Sequence, residues 1–369
     1  MSRHERRAMS ELPEMSTSIG VEVTRIEDRV EEAKVTPRRQ VDATRILYGK
    51  AASDAPSLIG SVFTLCAASQ RIASEAAMAA AQSRPTPDAL RWRWRRMLYA
   101  ERIAEHLRAS LLDWPGEKSD PRRLAHLPAL RKALWAARAA GEGHDNSLHA
   151  ALKEAACEVG APLEAGRNPT AWFAELWRDA LQYAQIAPWL SGVDFLAIDD
   201  VESVHLALCE RNADFLARPH LPGRVVETGP FARQFAYLRR NVGLLAARLQ
   251  ARFHDIAQAL EALASRELLA GEGDLVVAGS RRLGEGFAMV DSPRGFLFHR
   301  VEIDASGTVT TYDILAPTEW NFHPSGPFAQ ALAATKLDVA EPRRFVATLA
   351  ALFDPCASCD IRLREALHA

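Results

Sequence analysis

Two cysteines three positions apart, Cys356 and Cys359 in Asp354-Pro355-Cys356-Ala357-Ser358-Cys359, are the residues whose type and spacing point most directly to chemistry. On one turn, both sulfurs can be directed at one point. Such a pair supports thiol redox chemistry or ligation of a soft metal, and an incidental pair looks the same. A thioredoxin-like motif follows a strand and opens a helix, whereas here the preceding segment reads as helical and the chain soon ends. Zinc would need two further ligands, and no second close Cys or His pair stands out. Cys66 lies in an apolar helical stretch, and Cys157 and Cys209 lie inside ordinary helices. A lone Cys in such a place is by default a small buried hydrophobe.

Two further segments offer polar groups from constrained backbone. In Asp291-Ser292-Pro293-Arg294-Gly295, Arg294 stands between a proline and a glycine on a turn between strand-like runs. It reads either as a solvent-facing turn arginine or as an anion clamp, since a guanidinium is a rigid fork of donors. Ala316-Pro317-Thr318-Glu319-Trp320-Asn321 likewise offers a hydroxyl and an amide beside a bulky ring.

The elements that must position these groups change character along the chain. Residues 1–18 are polar and read as disordered. Residues 19–37 alternate weakly up to Pro37, which suggests a short hairpin. From about 56 to 263 the periodicity is helical: 66–81 is Ala-rich, 89–112 stops at Trp114-Pro115-Gly116, and 126–141, 147–159, 170–188 and 198–217 follow. Residues 231–263 read as the longest helix. From about 272 to 318, short Val-, Thr-, Phe- and Tyr-rich runs punctuated by Gly and Pro predict a small β-layer, before helices at 327–337 and 342–352. The predicted fold class is mainly α with a small β-layer, an α+β arrangement. Residues 19–369 are expected to form one domain, with the Cys-x-x-Cys segment at 354–369.

Composition excludes several classes. Lys plus Arg total 45 and Asp plus Glu total 47, a net charge of −2, so a general nucleic-acid binder is not expected. The run Arg91-Trp92-Arg93-Trp94-Arg95-Arg96 reads as a solvated arginine face with tryptophans packed inward. Five cysteines do not make a secreted disulfide framework. No apolar run is long enough to span a bilayer, and the charged N-terminus has no apolar region behind it. A cytoplasmic protein is expected, with neither nucleic acid nor membrane as a partner.

Taken together, the motifs resemble the large subunit of [NiFe] hydrogenases. The resemblance rests on Pro293–His299 (Pro-Arg-Gly-x-Leu-x-His), Gly307 in the following hairpin, Tyr312–Asn321 ending in Pro-Thr-x-Trp-Asn, and Asp354–Cys359. It covers roughly the last hundred residues and continues more weakly upstream, through Phe63–Ala73 around Cys66 and the helix carrying Glu101 and His106. In that family two Cys-x-x-Cys pairs hold the metals. The second cysteine of each pair bridges nickel and iron, and the first binds nickel alone. The resemblance therefore implies Cys66, Cys356 and Cys359 as metal-binding residues, with Phe63 where the fourth cysteine would stand. It also implies Arg294, Pro317 and Thr318 as residues lining the iron's cyanide and carbon monoxide ligands.

The departures shape the implied function. The proton-relay Arg-x-Glu-Gly-His segment has no counterpart in residues 1–35, and Arg362 replaces the histidine that ends the family's C-terminal motif. The iron half of the site is kept and the nickel half is damaged. That pattern looks like the HupK/HoxV family of hydrogenase accessory proteins. It implies a non-catalytic maturation scaffold that carries the Fe(CN)2(CO) unit and is not expected to hold nickel. The implied partners are a HypC-type chaperone, HypD and the hydrogenase large-subunit precursor. The competing readings are a divergent catalytic large subunit that oxidises H2, or a thiol redox protein using Cys356 and Cys359.

Overall fold

A computed structural model describes residues 18–27, 29–36, 41–141, 147–164, 167–186, 193–210, 213–265 and 274–366. Most of the segment read as disordered lies outside them. The N-terminal hairpin forms as expected, with strand β1 (Ile19–Ile26) antiparallel to β2 (Arg29–Thr36). Val21 and Val23 of β1 are fully buried, in keeping with the alternation.

The helical body follows. Helix α1 (Ala55–Val62) leads to α2 (Ala67–Ala81) and the long α3 (Asp88–Arg108), which ends in a wider turn at Ala109–Asp113 before Trp114. Then come α4 (Pro121–Leu124), α5 (Leu127–Ala139), α6 (Ser147–Val159) and α7 (Ala171–Leu181). The predicted 198–217 helix is two pieces, α8 (Val201–Cys209) and α9 (Ala213–Ala217). Short β3 (Asp194–Phe195) and β4 (Val226–Glu227) pair in parallel.

The predicted helix at 231–263 is broken. Short α10 (Pro230–Gln234) is separated from α11 (Leu244–Ala264) by irregular backbone ending at Gly243. Gly243 sits at φ +80°, and a Cβ there would lie 2.6 Å from Ala184 Cα, so both conformation and contact demand glycine. Helical composition on both sides hid this tertiary constraint.

The β-layer is a four-stranded antiparallel sheet in sequence order: β5 (Val276–Gly279), β6 (Glu285–Ser292), β7 (Gly295–Ile303) and β8 (Val309–Leu315). The small side chains of α2 let it lie close against β6 and β7, with Ala73, Ala76 and Ala77 buried. Three helices follow, α12 (Pro317–Asn321), α13 (Pro327–Ala333) and α14 (Pro342–Phe353). Sequence reasoning missed the last strand. Cys359–Glu365 forms β9, which pairs in parallel with β1, Ile19 opposite Cys359 through Arg25 opposite Glu365. The two ends of the chain are thereby joined.

One large core runs through the helical body and sheet. A smaller one gathers Leu196, Val204, Leu208, Phe215, Met289, Phe298 and Trp320 on the other side of the sheet. The Trp-Arg run behaves largely as expected. Trp94 is buried, Arg91 and Arg93 are exposed, and Arg96 departs by being buried over the Trp92 ring. Among the described residues no helix is long and apolar enough to cross a membrane.

Candidate metal site

Arg294 stands on the two-residue turn between β6 and β7, where Ser292 pairs with Gly295. Gly295 has φ +123°, and a Cβ there would lie 2.4 Å from Thr228 Oγ1. The loop at Thr228 thus presses directly on the turn. Asn321 of α12 fixes that loop by accepting from Thr228 N and donating to Thr228 O, both at 3.0 Å. Arg233 holds the turn from the other side, donating to Ser292 O at 3.3 Å and Pro293 O at 2.9 Å.

So fixed, Arg294 is buried, not the solvent-facing alternative. Its Nη1 donates to Cys66 Sγ at 2.7 Å and its Nη2 to Glu105 Oε2 at 3.1 Å, while Nε lies 3.3 Å from Asp354 Oδ1. Two carboxylates hold the guanidinium, and its remaining arm reaches a thiol. Burial opposes charge on Asp354, yet Arg294, Arg252 and Arg108 together hold its carboxyl below the usual range.

Cys66 and Asp354 share a further feature. Both adopt left-handed backbone, Cys66 at φ +56° before α2 and Asp354 at φ +50° after α14. Neither is glycine, so each conformation costs roughly 1–2 kcal/mol. Strain of this kind persists where the surroundings over-determine it, and it clusters at functional sites. Here it aims Cys66 at Arg294 and turns the chain from α14 into the Cys-x-x-Cys segment.

Of the three predicted sulfur ligands, the structure joins two. Cys66 and Cys356 stand 290 positions apart in the chain, yet their side chains lie close enough to influence one another. That neighbour and the nearby guanidinium bring the Cys356 thiol down to about 7, while the Cys66 thiol is held well above its ordinary value. Thr318, the second residue of α12, accepts from Cys356 N at 3.0 Å, and its hydroxyl also favours the Cys356 thiolate. Pro317 occupies the first position of the same helix and directs Thr318 inward. Cys359 does not complete a three-ligand group with Cys66 and Cys356 within 4.8 Å. It opens β9, and burial pushes its thiol up to about 12. Strand pairing of β9 with β1 starts at this residue, with Ile19 opposite Cys359. Phe63 caps α1 and is half-buried against the main core.

These differences give a direct chemical expectation. In the full chain at pH 7.5, Cys356 should be alkylated about 100-fold faster than Cys359, after allowing for the lower intrinsic nucleophilicity of the more acidic thiolate. Residue-resolved mass spectrometry of a timed alkylation reads this, and equal rates would contradict the assignment.

Sequence reasoning missed the charged shell behind Arg294. Asp255 of α11 accepts from His106 Nε2 and Arg233 Nη2, both at 2.7 Å, and Arg102 Nε lies 3.7 Å away. Asp291 bridges Arg233 at 2.6 Å and Arg102 at 3.0 Å. Glu101 caps α2, accepting from Ala68 N at 2.6 Å and Ser69 N at 2.9 Å. Burial, with Glu105 adding to it, raises the Glu101 carboxyl to about 7. His299 and Tyr312 are bonded at 2.8 Å, and His299 reaches Gln70 at 2.8 Å, tying β7 and β8 to α2. The sequence signal for this shell was confined to α3, whose Glu101 and His106 the resemblance singles out.

All five cysteines are free. The donor set fits a soft metal: two neighbouring thiols, one of them acidic, beside a fixed and buried cation. The guanidinium is an anchored donor for any anionic ligand that such a metal brings.

Comparison with known proteins agrees with this geometry. The nickel-dependent hydrogenase family matches residues 241–362, the segment that carries Arg294, Thr318 and the C-terminal cysteines. The hydrogenase expression/formation protein HupK of Rhizobium leguminosarum bv. viciae is 36% identical over 95% of this chain and 98% of its own length. The hydrogenase expression/formation protein HoxV of Cupriavidus necator is 28% identical over 88% of this chain and 91% of its own. Among solved structures, the Ni-Fe-Se hydrogenase of Desulfovibrio vulgaris Hildenborough superposes with a TM-score of 0.59 at 15% identity, over 89% of this chain and 93% of that one. The expected large-subunit-like fold is therefore present, and the chain belongs to the HupK family of hydrogenase expression/formation proteins.

Proposed function

We propose that the protein is a non-catalytic scaffold that holds the Fe(CN)2(CO) unit of [NiFe] hydrogenase as cargo before its transfer to the large subunit. The observation that carries this reading is the junction of Cys66, Cys356 and Arg294, with Arg294 Nη1 2.7 Å from Cys66 Sγ. The cargo iron is soft and takes thiolates, and its cyanides are anionic acceptors that need a donor. Arg294 supplies that donor from a position fixed by Glu105 and Asp354. Cys356, the more acidic thiol, is the receiving thiolate beside Cys66, and Cys359, outside their immediate group, is drawn in as a further ligand when the iron unit arrives. Phe63, packed against the core, stands at the sequence position where the resembling family has a terminal nickel ligand. The maturation role in the names of the relatives supports this reading over a hydrogenase or a general thiol oxidoreductase.

The reading makes a HypC-type chaperone with HypD the donor and the large-subunit precursor the recipient, in the cytoplasm. Protein purified after co-expression with those partners should contain close to one iron per chain and little nickel by elemental analysis. Stoichiometric nickel with hydrogen uptake by the isolated chain would overturn the proposal in favour of an enzyme.

A further inference from the structure

Cys209 takes no part in the site above. Helix α8 places His205 and Cys209 four residues apart, so both side chains leave the same face. Strand β6 brings Glu285 against that face. His205 Nε2 lies 3.0 Å from Glu285 Oε1 and 3.3 Å from Cys209 Sγ, and Cys209 Sγ lies 3.2 Å from Glu285 Oε1. The three donor atoms lie within 4.8 Å of one another; His205 and Glu285 are buried and Cys209 is half-exposed.

The triangle has the size that a tetrahedral ion requires. Zinc bond lengths of about 2.0–2.3 Å to N, O and S imply ligand–ligand edges of about 3.4–3.6 Å. The observed edges are a few tenths of an ångström shorter, a gap that small side-chain rotations close. Local charge agrees. Arg300 Nε lies 3.6 Å from Glu285 Oε1 and its charge favours a Cys209 thiolate, while its two terminal nitrogens are bound by Glu302 at 2.6 Å and Asp313 at 3.1 Å. Arg282 is mostly exposed, 3.8 Å from Glu285 Oε2. Glu285, Glu302 and Asp313 together with a Cys209 thiolate exceed these two cations by two charges, which one divalent ion balances.

We propose that His205, Cys209 and Glu285 form a second metal site, of the zinc type, with water in the fourth position. It is separate from the Cys66–Cys356 site: Glu285 and Asp291 sit six residues apart on β6, ~20 Å along the strand. Entry is from the exposed side of Cys209, and binding displaces the thiol proton to solvent. The bound ion staples α8 to the sheet whose far end carries Arg294.

The test uses the full chain with Cys66, Cys356 and Cys359 each changed to Ser, so that those sulfurs cannot take the probe metal. Zn2+ affinity is measured by competition with a chromophoric chelator, and Co2+ reports a sulfur ligand through its thiolate charge-transfer band. One equivalent should bind. Residues that only hydrogen-bond to a metal's ligands are worth about 10–100-fold in affinity, so losing a ligand itself in His205→Ala or Cys209→Ser should cost at least about 100-fold. Cys209→Ser should also abolish the cobalt charge-transfer band, while Glu285→Gln weakens binding but keeps the band. Absence of a bound equivalent, or unchanged affinity in His205→Ala and Cys209→Ser, would overturn the proposal. If the triple-serine chain fails to fold, the unmodified chain decides: Zn2+ should protect Cys209 from alkylation, read by mass spectrometry, and lack of protection rejects the site.

Discussion

Replacing Arg294 by leucine is expected to destabilise the protein by about 3–5 kcal/mol, the range for removing one partner of a buried ion pair. The guanidinium is buried and contacts Glu105, Asp354 and the Cys66 sulfur at once. Its loss leaves Asp354 charged in the interior, with the weaker influence of Arg252, Arg108 and His106 to favour ionisation. Glu105 fares better, because Arg108 Nε donates to it at 2.9 Å. Arg294→Lys should fall between, since one ammonium cannot reproduce a fork that serves three acceptors. Urea unfolding at pH 7 measures both variants. A loss below about 1 kcal/mol in Arg294→Leu would show that the carboxylates were not relying on it. The same variants should alter the acidity of Cys356, whose thiolate is favoured by Arg294 as well as by Cys66.

A second large effect is expected at Asp255. The carboxylate is fully buried between Arg233, Arg102 and His106, and Arg233 in turn holds the backbone of the Arg294 turn. Asp255→Ala should also lose about 3–5 kcal/mol at pH 7. Burial opposes its ionisation, but Arg233 and Arg102 outweigh that and hold its carboxyl well below the ordinary value. A depressed carboxylate adds stability that is present above its unfolded value and lost as the pH falls through the folded one. The wild-type protein should therefore weaken below about pH 5, and Asp255→Ala should weaken less steeply there, by one proton's worth of slope. Identical slopes, together with equal stability at pH 7, would remove Asp255 from the supporting shell.

Local motifs carried most of what could be read from the sequence. Pro293-Arg294-Gly295, Pro317-Thr318 and Asp354–Cys359 each specify a turn or helix start that presents one side chain, and Arg294, Thr318 and Cys356 are in fact brought together. The hairpin at β1 and β2 and the four-stranded sheet were legible through alternation and turn residues. Strand β9 was not. Cys-Asp-Ile-Arg-Leu-Arg-Glu is mostly polar and only seven residues long, and its partner β1 lies at the opposite end of the chain. Glu105, Asp255 and Asp291 were invisible for another reason: charged residues on helices and strands usually face water. Only tertiary packing shows that these face each other. His205 and Cys209 looked like ordinary helix residues until β6 brought Glu285 against them.

Infrared spectroscopy tests the scaffold proposal most directly, because bound cyanide and carbon monoxide absorb where protein does not. The protein purified after co-expression with a HypC-type chaperone and HypD should show one carbonyl and two cyanide bands. Cys66→Ala or Cys359→Ala should abolish them, and Cys356→Ala should reduce them by slowing loading. No such bands in the unmodified protein, or bands that survive in both Cys66→Ala and Cys359→Ala, would contradict the assignment of these cysteines as the seat of the iron unit.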